Sequence, residues 1–265
     1  MTPTPLPLRF FRGARLALHI IWAIICVIAV FPLLAPEQRL RLKRRWSRRL
    51  LDILAIRLDA PLDGIPPGNL IVANHVSWLD IFALNAVRPA AFIAKAEVRQ
   101  WPLIGWLAAR NDTVFLQRGS RGHAKTVNGQ IDALLTAGRD VALFPEGTTT
   151  DGTHLLGFHA ALLQPAVETG HPVLPVAISY HDESGRISTT PAYAGDTTLK
   201  ECLLAILSSH SLTVRLQPTA PIATTERTRR EVSLAAHRAI ADILATRNGF
   251  LPAAPAPEKS PGLPA

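Results

Sequence analysis

The 265-residue sequence contains only two cysteines, two tyrosines and one methionine. Cys26 falls in an apolar segment and Cys202 in a segment with a helical pattern, so the sequence predicts no disulfide framework and a reducing compartment. Neither cysteine has a histidine neighbour, and His154 and His159 lack partners at the spacings of metal ligands. We therefore expect no metal centre.

Acidic residues are also in deficit. Asp and Glu number 20 against 28 Lys and Arg, and the resulting net charge of +8 predicts an anionic partner. Much of the excess lies in RLRLKRRWSRRL, residues 39–50, which follows the most apolar segment of the chain. A basic run beside an apolar segment favours an anionic membrane surface over nucleic acid.

That apolar segment, LALHIIWAIICVIAVFPLL at residues 16–34, carries no charge and is long enough to cross a hydrocarbon core of about 30 Å. Because the denser basic flank follows it, we expect the inner (cytoplasmic) membrane, with the main domain on the cytoplasmic side. A cleavable signal peptide is disfavoured, since the apolar stretch is long and LLAPEQ is a poor cleavage site. A re-entrant or interfacial helix is the closer alternative, because Pro32 interrupts the segment.

Residues 39–58 place leucine or tryptophan at every fourth position, with arginine and lysine on the other side. This pattern predicts an amphipathic helix lying in the headgroup layer of anionic lipid. The alternative is a helix that packs on the domain and leaves its basic face in solvent.

Six short apolar runs then alternate with helix-like segments: LIVAN, AAFIAK, TVFLQR, DVALFPE, PVLPVAISY and LTVRLQP. The alternation predicts one α/β domain at residues 59–248, with a central, mostly parallel or mixed sheet flanked by helices. Residues 1–58 would form the membrane anchor and basic helix, and the Pro/Ala-rich residues 249–265 a disordered tail. Pro175 inside its run predicts a sheet edge or a bulge.

The stretch ANHVSWLDI, residues 73–81, follows the first of these runs and has two readings. Structurally, Ser77 and Asp80 match a capping box that opens a helix over residues 78–87. Catalytically, a helix N-terminus favours the neutral form of His75, which a general base requires, and Asp80 one turn later can orient the ring. The chain has no G-x-S-x-G nucleophile elbow, so the catalytic reading needs a substrate hydroxyl as nucleophile.

Two more groups of polar residues follow predicted strands. Lys95 and Arg118 end strands on one side of the sheet and could converge on a phosphate or an oxyanion, although for any single lysine or arginine a solvated strand-end charge is the better explanation. Glu146 and Gly147 in FPEGTTTDG have the character of an active-site loop, although Pro-Glu-Gly is also an ordinary turn.

Together, NHVSWLD, K-x6-P-x2-G…FLQR, FPEGT and VLPVA stand in the order and spacing of the four blocks of the glycerolipid acyltransferase family. Over residues 69–179 the chain resembles the bacterial 1-acyl-sn-glycerol-3-phosphate acyltransferases. The resemblance implies that His75 is the general base and Asp80 its orienting partner. It also implies a substrate-binding set, made up of Lys95 near the reacting carbonyl, Arg118 at the acceptor's phosphate, and Glu146, Gly147 and Thr148 shaping the acceptor site.

The implied reaction is direct acyl transfer from acyl-CoA or acyl carrier protein to a lysophospholipid hydroxyl, giving phosphatidic acid. It requires no acyl-enzyme, no metal and no cofactor beyond the acyl thioester. Two alternatives from other classes are weaker: a noncatalytic lipid-binding membrane module has no use for a paired His75 and Asp80, and a secreted hydrolase lacks an evident nucleophile.

The third block departs from the family pattern. Many members continue with an arginine after EGT, whereas this chain has Thr149. Losing one charge-assisted contact costs about 1.5–3 kcal/mol of acceptor binding unless another cation, such as Arg118 or Arg121, replaces it. Acyltransferases that use lyso-ornithine lipid have similar Ser/Thr-rich versions of this block, so that lipid is the alternative acceptor.

Overall fold

A seven-stranded mixed sheet forms the centre of the protein, in a computed structural model that describes residues 4–116 and 121–248. The strand order is β1-β7-β6-β2-β5-β3-β4. The strands are β1 Ile56–Asp59, β2 Leu70–Ala73, β3 Ala91–Lys95, β4 Val114–Leu116, β5 Val141–Leu143, β6 Val173–His181 and β7 Leu212–Pro218. Every adjacent pair is parallel except β6 with β7, so the predicted α/β domain with a mixed sheet is confirmed.

Helices cover both faces of this sheet. They are α1 Leu6–Ile25, α2 Pro36–Ile53, α3 Leu79–Val87, α4 Ile104–Arg110, α5 Arg121–Thr136, α6 Gln164–Thr169, α7 Leu199–Ser208 and α8 Arg229–Asn248. The helices α2, α3 and α7 contribute to one apolar cluster, and α5, α6 and α8 to another on the opposite face. Every residue of β2, β5 and β6 is therefore buried, as expected for parallel strands covered on both sides.

The parallel arrangement decides where functional side chains gather. Because β2, β3, β5 and β6 run in the same direction, their carboxyl ends reach one edge of the sheet. Open α/β sheets bind ligands at this edge. The residues that follow β2 and β5 are His75 and Glu146, so topology alone brings these two distant parts of the sequence together.

The basic helix ends earlier than predicted. The helix α2 stops at Ile53, Ala55 adopts a left-handed φ of 56°, and Ile56–Asp59 joins the sheet beside β7. The predicted end at residue 58 was therefore wrong. The leucine repeat extends past the end of the helix. Leu54 and Leu58 lie on either side of a turn, but both pack into the same apolar cluster.

The same helix packs on the domain. Leu50 and Leu51 are buried against the sheet and α3, and the Lys43 Nζ donates to the carbonyls of Ala90 at 2.9 Å and Asn111 at 3.4 Å. Its other basic side chains are exposed: Arg39, Arg41, Arg44, Arg45, Arg48 and Arg49. The helix therefore packs on the domain through its apolar side and exposes most of its basic side chains.

The N-terminal helix forms a hairpin with α2. Beyond α1, π-helical Cys26–Val30 and 3-10-helical Phe31–Leu33 extend it to a 28-residue apolar segment, Leu6–Leu33, that is long enough to cross a membrane by length and composition. The ring of His19 stacks on Trp46 with centroids 4.5 Å apart, and the Trp46 indole N–H donates to the His19 carbonyl at 3.2 Å.

The beginning of α1 is also tied to the domain. The Arg12 guanidinium donates to the carbonyls of Ser209 at 2.6 Å and His210 at 2.9 Å, just after α7. The outer face of the helix remains apolar and exposed, with Phe10 81% and Ile28 60% accessible. The N-terminal segment is therefore an integral part of the fold that presents an apolar surface outward.

Three more sequence predictions can be compared with these elements. The strand β6 lies inside the sheet, so the expected edge at Pro175 was wrong, but a bulge is present. Val173 pairs with Ile222 and Val176 with Pro218, so Leu174 and Pro175 of β6 lie opposite three residues, 219–221, and the extra residue is in the segment after β7. The sequence also missed β1 and α4. The predicted tail at residues 249–265 lies outside the described residues.

Candidate active site

Asn74 fixes the chain where β2 ends. Its Nδ2–H donates to the Ile178 carbonyl at 2.9 Å and its Oδ1 accepts the Ile178 N–H at 2.7 Å. Asn74 is buried, so this pair of bonds continues the contact between β2 and β6 by one side chain. The next residue, His75, is thereby held at the edge of the sheet.

His75 and Asp80 form a hydrogen-bonded pair. Nδ1 of His75 lies 2.8 Å from Oδ2 of Asp80, whose side chain is fully buried, while 19% of the His75 side chain is accessible. An ionised carboxylate can only accept, so Nδ1 carries the proton and Nε2 of the neutral ring is left as an acceptor. Phe144 stacks on the imidazole with ring centroids 3.9 Å apart and restrains the ring plane.

Four donors surround the Asp80 carboxylate. Oδ2 accepts from His75 and from the backbone N–H groups of Val76 at 2.7 Å and Ser77 at 2.9 Å, and Oδ1 accepts from the Tyr180 hydroxyl at 2.7 Å. The bond from the Ser77 N–H is one half of a capping box, so Asp80 serves the start of the helix and also bonds to His75. Ser77 itself is wholly buried and cannot reach a substrate.

Tyr180 is the residue at this site that sequence reasoning missed. It lies in β6, a hundred residues from Asp80, and is only 2% exposed. Burial raises the pKa of Tyr180 well above its ordinary value, so the group stays a phenol and donates to the carboxylate. The sequence feature that could have drawn attention to Tyr180 is the scarcity of tyrosine. The sequence has only two, and the other, Tyr193, also lies beside the site.

The buried carboxylate of Glu146 links two loops of the site through hydrogen bonds. One carboxylate oxygen accepts the His75 N–H at 2.7 Å and the other accepts the Leu156 N–H at 2.8 Å. The side chain is buried, and this burial raises the pKa of Glu146 to about 7, against the lowering effect of the two backbone donors. Glu146 therefore joins the chain after β2 to the loop after β5.

The other residues predicted to bind substrate that the structure describes lie on a strand and on a loop. Gly147 has a left-handed φ of 71° in a turn closed by its N–H to the Phe144 carbonyl at 3.1 Å, and Thr148 is exposed on that turn. Lys95 is exposed at the end of β3, the strand beside β5. Arg118 lies outside the described residues.

Thr149 joins two loops. Its hydroxyl donates to the carbonyl of Tyr193, and the Tyr193 N–H in turn donates to the Val76 carbonyl at 2.9 Å. The next residue, Thr150, donates its N–H to the His75 carbonyl at 2.9 Å. The segment around Tyr193 is thus bonded to both loops that build the site, and the Thr149 hydroxyl proton is already committed.

The arrangement of His75 and Asp80 suits one kind of chemistry. An imidazole that is oriented through Nδ1 by a buried carboxylate has the geometry required to accept a proton at Nε2. Among residues 4–116 and 121–248, no three His, Cys, Asp or Glu side chains are grouped to hold a metal ion. The fold and site are those of an α/β enzyme that holds a histidine, oriented by a buried carboxylate, at the edge of the sheet where such folds bind ligands.

Comparison with known proteins identifies the family. The acyltransferase family model matches residues 63–179, which include His75, Asp80 and Glu146. A 1-acyl-sn-glycerol-3-phosphate acyltransferase of Neisseria meningitidis is 43% identical over 183 residues, 68% of this chain and 71% of that protein. A lyso-ornithine lipid O-acyltransferase of Pseudomonas aeruginosa is 40% identical over 202 residues, 76% of this chain and 78% of that protein. The chain belongs to the acyltransferase family and is an acyltransferase.

A solved structure has the same fold. The crystal structure of the 1-acyl-sn-glycerophosphate (LPA) acyltransferase PlsC from Thermotoga maritima matches with a TM-score of 0.60, covering 89% of this chain and 98% of that one. The two sequences are 23% identical over the match.

We expect Tyr180→Phe to lower kcat by roughly ten- to a hundredfold, since a hydrogen bond to a charged group contributes about 1.5–3 kcal/mol. The buried carboxylate would hold its negative charge less well, so the acidic limb of the kcat/KM profile should move to higher pH. The measurement is the pH dependence of acyl transfer from a labelled acyl thioester.

The matched control for this experiment is Ser179→Ala, which removes a neighbouring hydroxyl of β6 that bonds to His181. We expect it to leave the pH profile in place. A Tyr180→Phe enzyme with the original kcat and pH profile would show that the phenol does not orient Asp80.

Glu146 should make the stability of the protein depend on pH. Its pKa rises from 4.5 to about 7 on folding, so the folded state binds the extra proton between these values and the free energy of unfolding falls as pH rises through this window. The full contribution is on the order of 3 kcal/mol. Thermal unfolding of Glu146→Gln should lose this slope, whereas the exposed Glu183→Gln should keep it; an unchanged slope in Glu146→Gln would contradict the assignment.

Proposed function

We propose that the protein transfers a fatty acyl group from acyl-CoA or acyl carrier protein to the sn-2 hydroxyl of 1-acyl-glycerol-3-phosphate, giving phosphatidic acid for phospholipid biosynthesis. The observation that carries the proposal is the 2.8 Å bond between His75 and the buried Asp80, at the edge of the sheet where ligands bind. The name of the relative from Neisseria meningitidis, 43% identical to this chain, supports the choice of acceptor.

In this mechanism the acceptor hydroxyl donates its proton to Nε2 of His75 while its oxygen attacks the thioester carbonyl. Asp80 stabilises the imidazolium that forms. The attack forms the ester C–O bond and gives a tetrahedral intermediate. Its collapse restores the carbonyl and breaks the C–S bond, and the proton held by His75 passes to the thiolate that leaves. The substrate supplies the nucleophile, so the mechanism includes no acyl-enzyme, metal or cofactor.

The remaining residues would bind the two substrates. Lys95 would stabilise the negative charge that develops on the carbonyl oxygen, a role supported by its place at the end of the strand beside β5. Arg118 would bind the acceptor's phosphate. In the loop after β5, Thr148 would contact the acceptor, while Gly147 and Glu146 would give that loop its shape.

The protein would work on the cytoplasmic face of the inner membrane. The exposed apolar face of α1 suits contact with lipid, and the exposed arginines of α2 suit anionic headgroups. Because α2 packs along α1 through His19 and Trp46, a complete crossing by α1 would carry arginines into hydrocarbon at about 2.5–3.5 kcal/mol each. The hairpin geometry therefore supports anchorage within the interface over a complete crossing.

A second acceptor, lyso-ornithine lipid, is favoured by one observation. Where many family members have an arginine, Thr149 bonds to the Tyr193 carbonyl and offers no positive charge to a phosphate. The relative from Pseudomonas aeruginosa, named a lyso-ornithine lipid O-acyltransferase, is 40% identical over 76% of this chain. The chemistry of His75 would be the same with either acceptor.

The direct test is acyl transfer by the purified full-length enzyme, with one labelled acyl thioester and the two lysolipids in parallel reactions. We expect product from lysophosphatidic acid, and a loss of about 10²–10⁴-fold in His75→Ala because a general base is removed. The remote His171→Ala should retain activity. Product from lyso-ornithine lipid alone would mean that this lipid is the acceptor and that the proposed mechanism still holds.

Two other outcomes would reject the mechanism or the activity. Full activity in His75→Ala would mean that His75 is not the base. Lysolipid binding by the native protein without any product that depends on the acyl donor would favour a noncatalytic lipid-binding module.

We expect Thr149→Val to raise KM for the acceptor about fivefold with little change in kcat, because the loss of about 1 kcal/mol of hydrogen bonding loosens the segment around Tyr193. Thr219→Val, which removes a similar hydroxyl bond to the Ala220 carbonyl away from the site, is the control. Equal KM values in both variants would show that this bond does not shape the acceptor site.

A further inference from the structure

Four consecutive apolar residues are exposed on a loop that the proposed mechanism does not use. After β3, a 3-10 helix at Ala96–Gln100 leads into Trp101, Pro102, Leu103 and Ile104, which we call the apolar tip. Trp101 is 50% accessible, Leu103 43% and Ile104 44%. Bulky apolar side chains adjacent to one another at a surface indicate a binding surface.

The backbone of the apolar tip is strained. The Ile104 N–H donates to the Pro102 carbonyl at 2.6 Å, and Leu103 between them has φ 62° and ψ −54°. These values define a classic γ-turn, which is rare because a side chain at positive φ is crowded. Strain of this kind persists where the surroundings impose it, and it is concentrated at functional sites.

The surroundings of the apolar tip impose this conformation. A Cβ added to Gly105 would lie 2.6 Å from the Val98 carbonyl oxygen and closer still to that of Arg99, so the chain passes here only as glycine. The Gly105 N–H donates to the Trp101 carbonyl at 2.9 Å, and the Leu107 N–H to the Leu103 carbonyl at 2.8 Å. The apolar tip is a fixed projection held at the start of α4.

Exposed cations flank the apolar tip in the sequence. Lys95, Arg99 and Arg110 are exposed before and after it, and Glu97 is the acidic residue of the same segment. Tryptophan and aliphatic side chains flanked by arginine and lysine are characteristic of surfaces that enter the headgroup layer of anionic lipid. An acidic carrier protein would also be attracted by the cations, but it would leave the apolar side chains without a partner.

The apolar tip lies at the edge of the sheet that carries the site. It follows β3, which is separated from β2 by β5 alone, so the ends of β2 and β3 are about 10 Å apart at the usual spacing of neighbouring strands. His75 follows β2 at that same edge, so the segment that leads to the apolar tip begins beside the site.

We propose that the apolar tip inserts into the headgroup layer of an anionic bilayer as a second membrane contact, separate from α1. This contact seats the edge bearing His75 on the membrane, so that the lipid acceptor reaches the base directly from the bilayer. The inference rests on the proposed function, since it assumes an acceptor that resides in the membrane.

The first test follows the apolar tip itself and needs no turnover. Ile104→Cys in the full chain would carry an environment-sensitive fluorophore, and Cys26 and Cys202 are both buried and leave the added thiol as the labelling site. Vesicles of neutral and anionic phospholipid should shift the emission to the blue, and quenchers on the acyl chains should reduce it at least twofold. The same label at Leu234→Cys, 47% exposed on α8, should respond to neither.

The second test measures how acceptor presentation affects rate. The triple variant Trp101→Ser, Leu103→Ser, Ile104→Ser should lose about tenfold or more in rate with acceptor in vesicles and keep its rate with acceptor in detergent micelles. The control is Leu199→Ser, Leu204→Ser, Leu234→Ser, whose parent side chains are 44%, 52% and 47% exposed on α7 and α8. It should match the native enzyme in both formats.

The outcomes separate this proposal from the proposed function. A label at position 104 that remains in water while the protein is bound to vesicles would overturn the membrane contact, whatever the activity. A loss confined to reactions with acyl carrier protein, in both lipid formats, would assign the apolar tip to that protein and overturn the bilayer as its partner. Absence of transfer to either lysolipid in any format would reject the proposed function while the label still reports on insertion.

Discussion

The buried carboxylate of Asp80 is the group on which the rest of the site depends. A negative charge without solvent is costly unless several donors compensate it, and here two backbone N–H groups, a phenol and an imidazole do so. Three of these donors hold the carboxylate in place, and the fourth is the imidazole of His75. The same arrangement that stabilises the buried charge therefore also fixes the orientation and protonation of His75.

The loops that carry the site are held to one another through backbone bonds. Glu146 bonds to the backbone of His75, Thr150 bonds to the His75 carbonyl, and Thr149 bonds to the segment around Tyr193. Such contacts position the chain without depending on which side chains face the substrate. Thr148, on the loop after β5, is exposed and takes no part in these bonds.

Much of the architecture could be predicted because local pattern and burial agree. Six buried strands were visible as apolar runs, and the alternation with helices defined an α/β sheet. The edge strand β1 was missed because it is short and only partly buried, and its Leu58 continued the leucine spacing of α2. A four-residue repeat does not reveal that the chain turns between two of its members. The order of the blocks led to the family, but no local pattern showed which hydroxyl would complete the carboxylate's set of donors.

The sequence by itself determined the family, the α/β class, the apolar and basic character of the N-terminus, and the pairing of His75 with Asp80. That pair lies five residues apart, so a short loop that runs into the first turn of α3 is enough to bring the two side chains together. Only the tertiary structure decided that the Tyr180 hydroxyl donates to Asp80 and that the buried Glu146 accepts from the backbone of His75 and Leu156. It also decided that Trp101 and its neighbours are exposed. These features depend on which strands lie side by side and on where the chain has to turn. Contacts between residues a hundred positions apart produce no periodic pattern in a sequence.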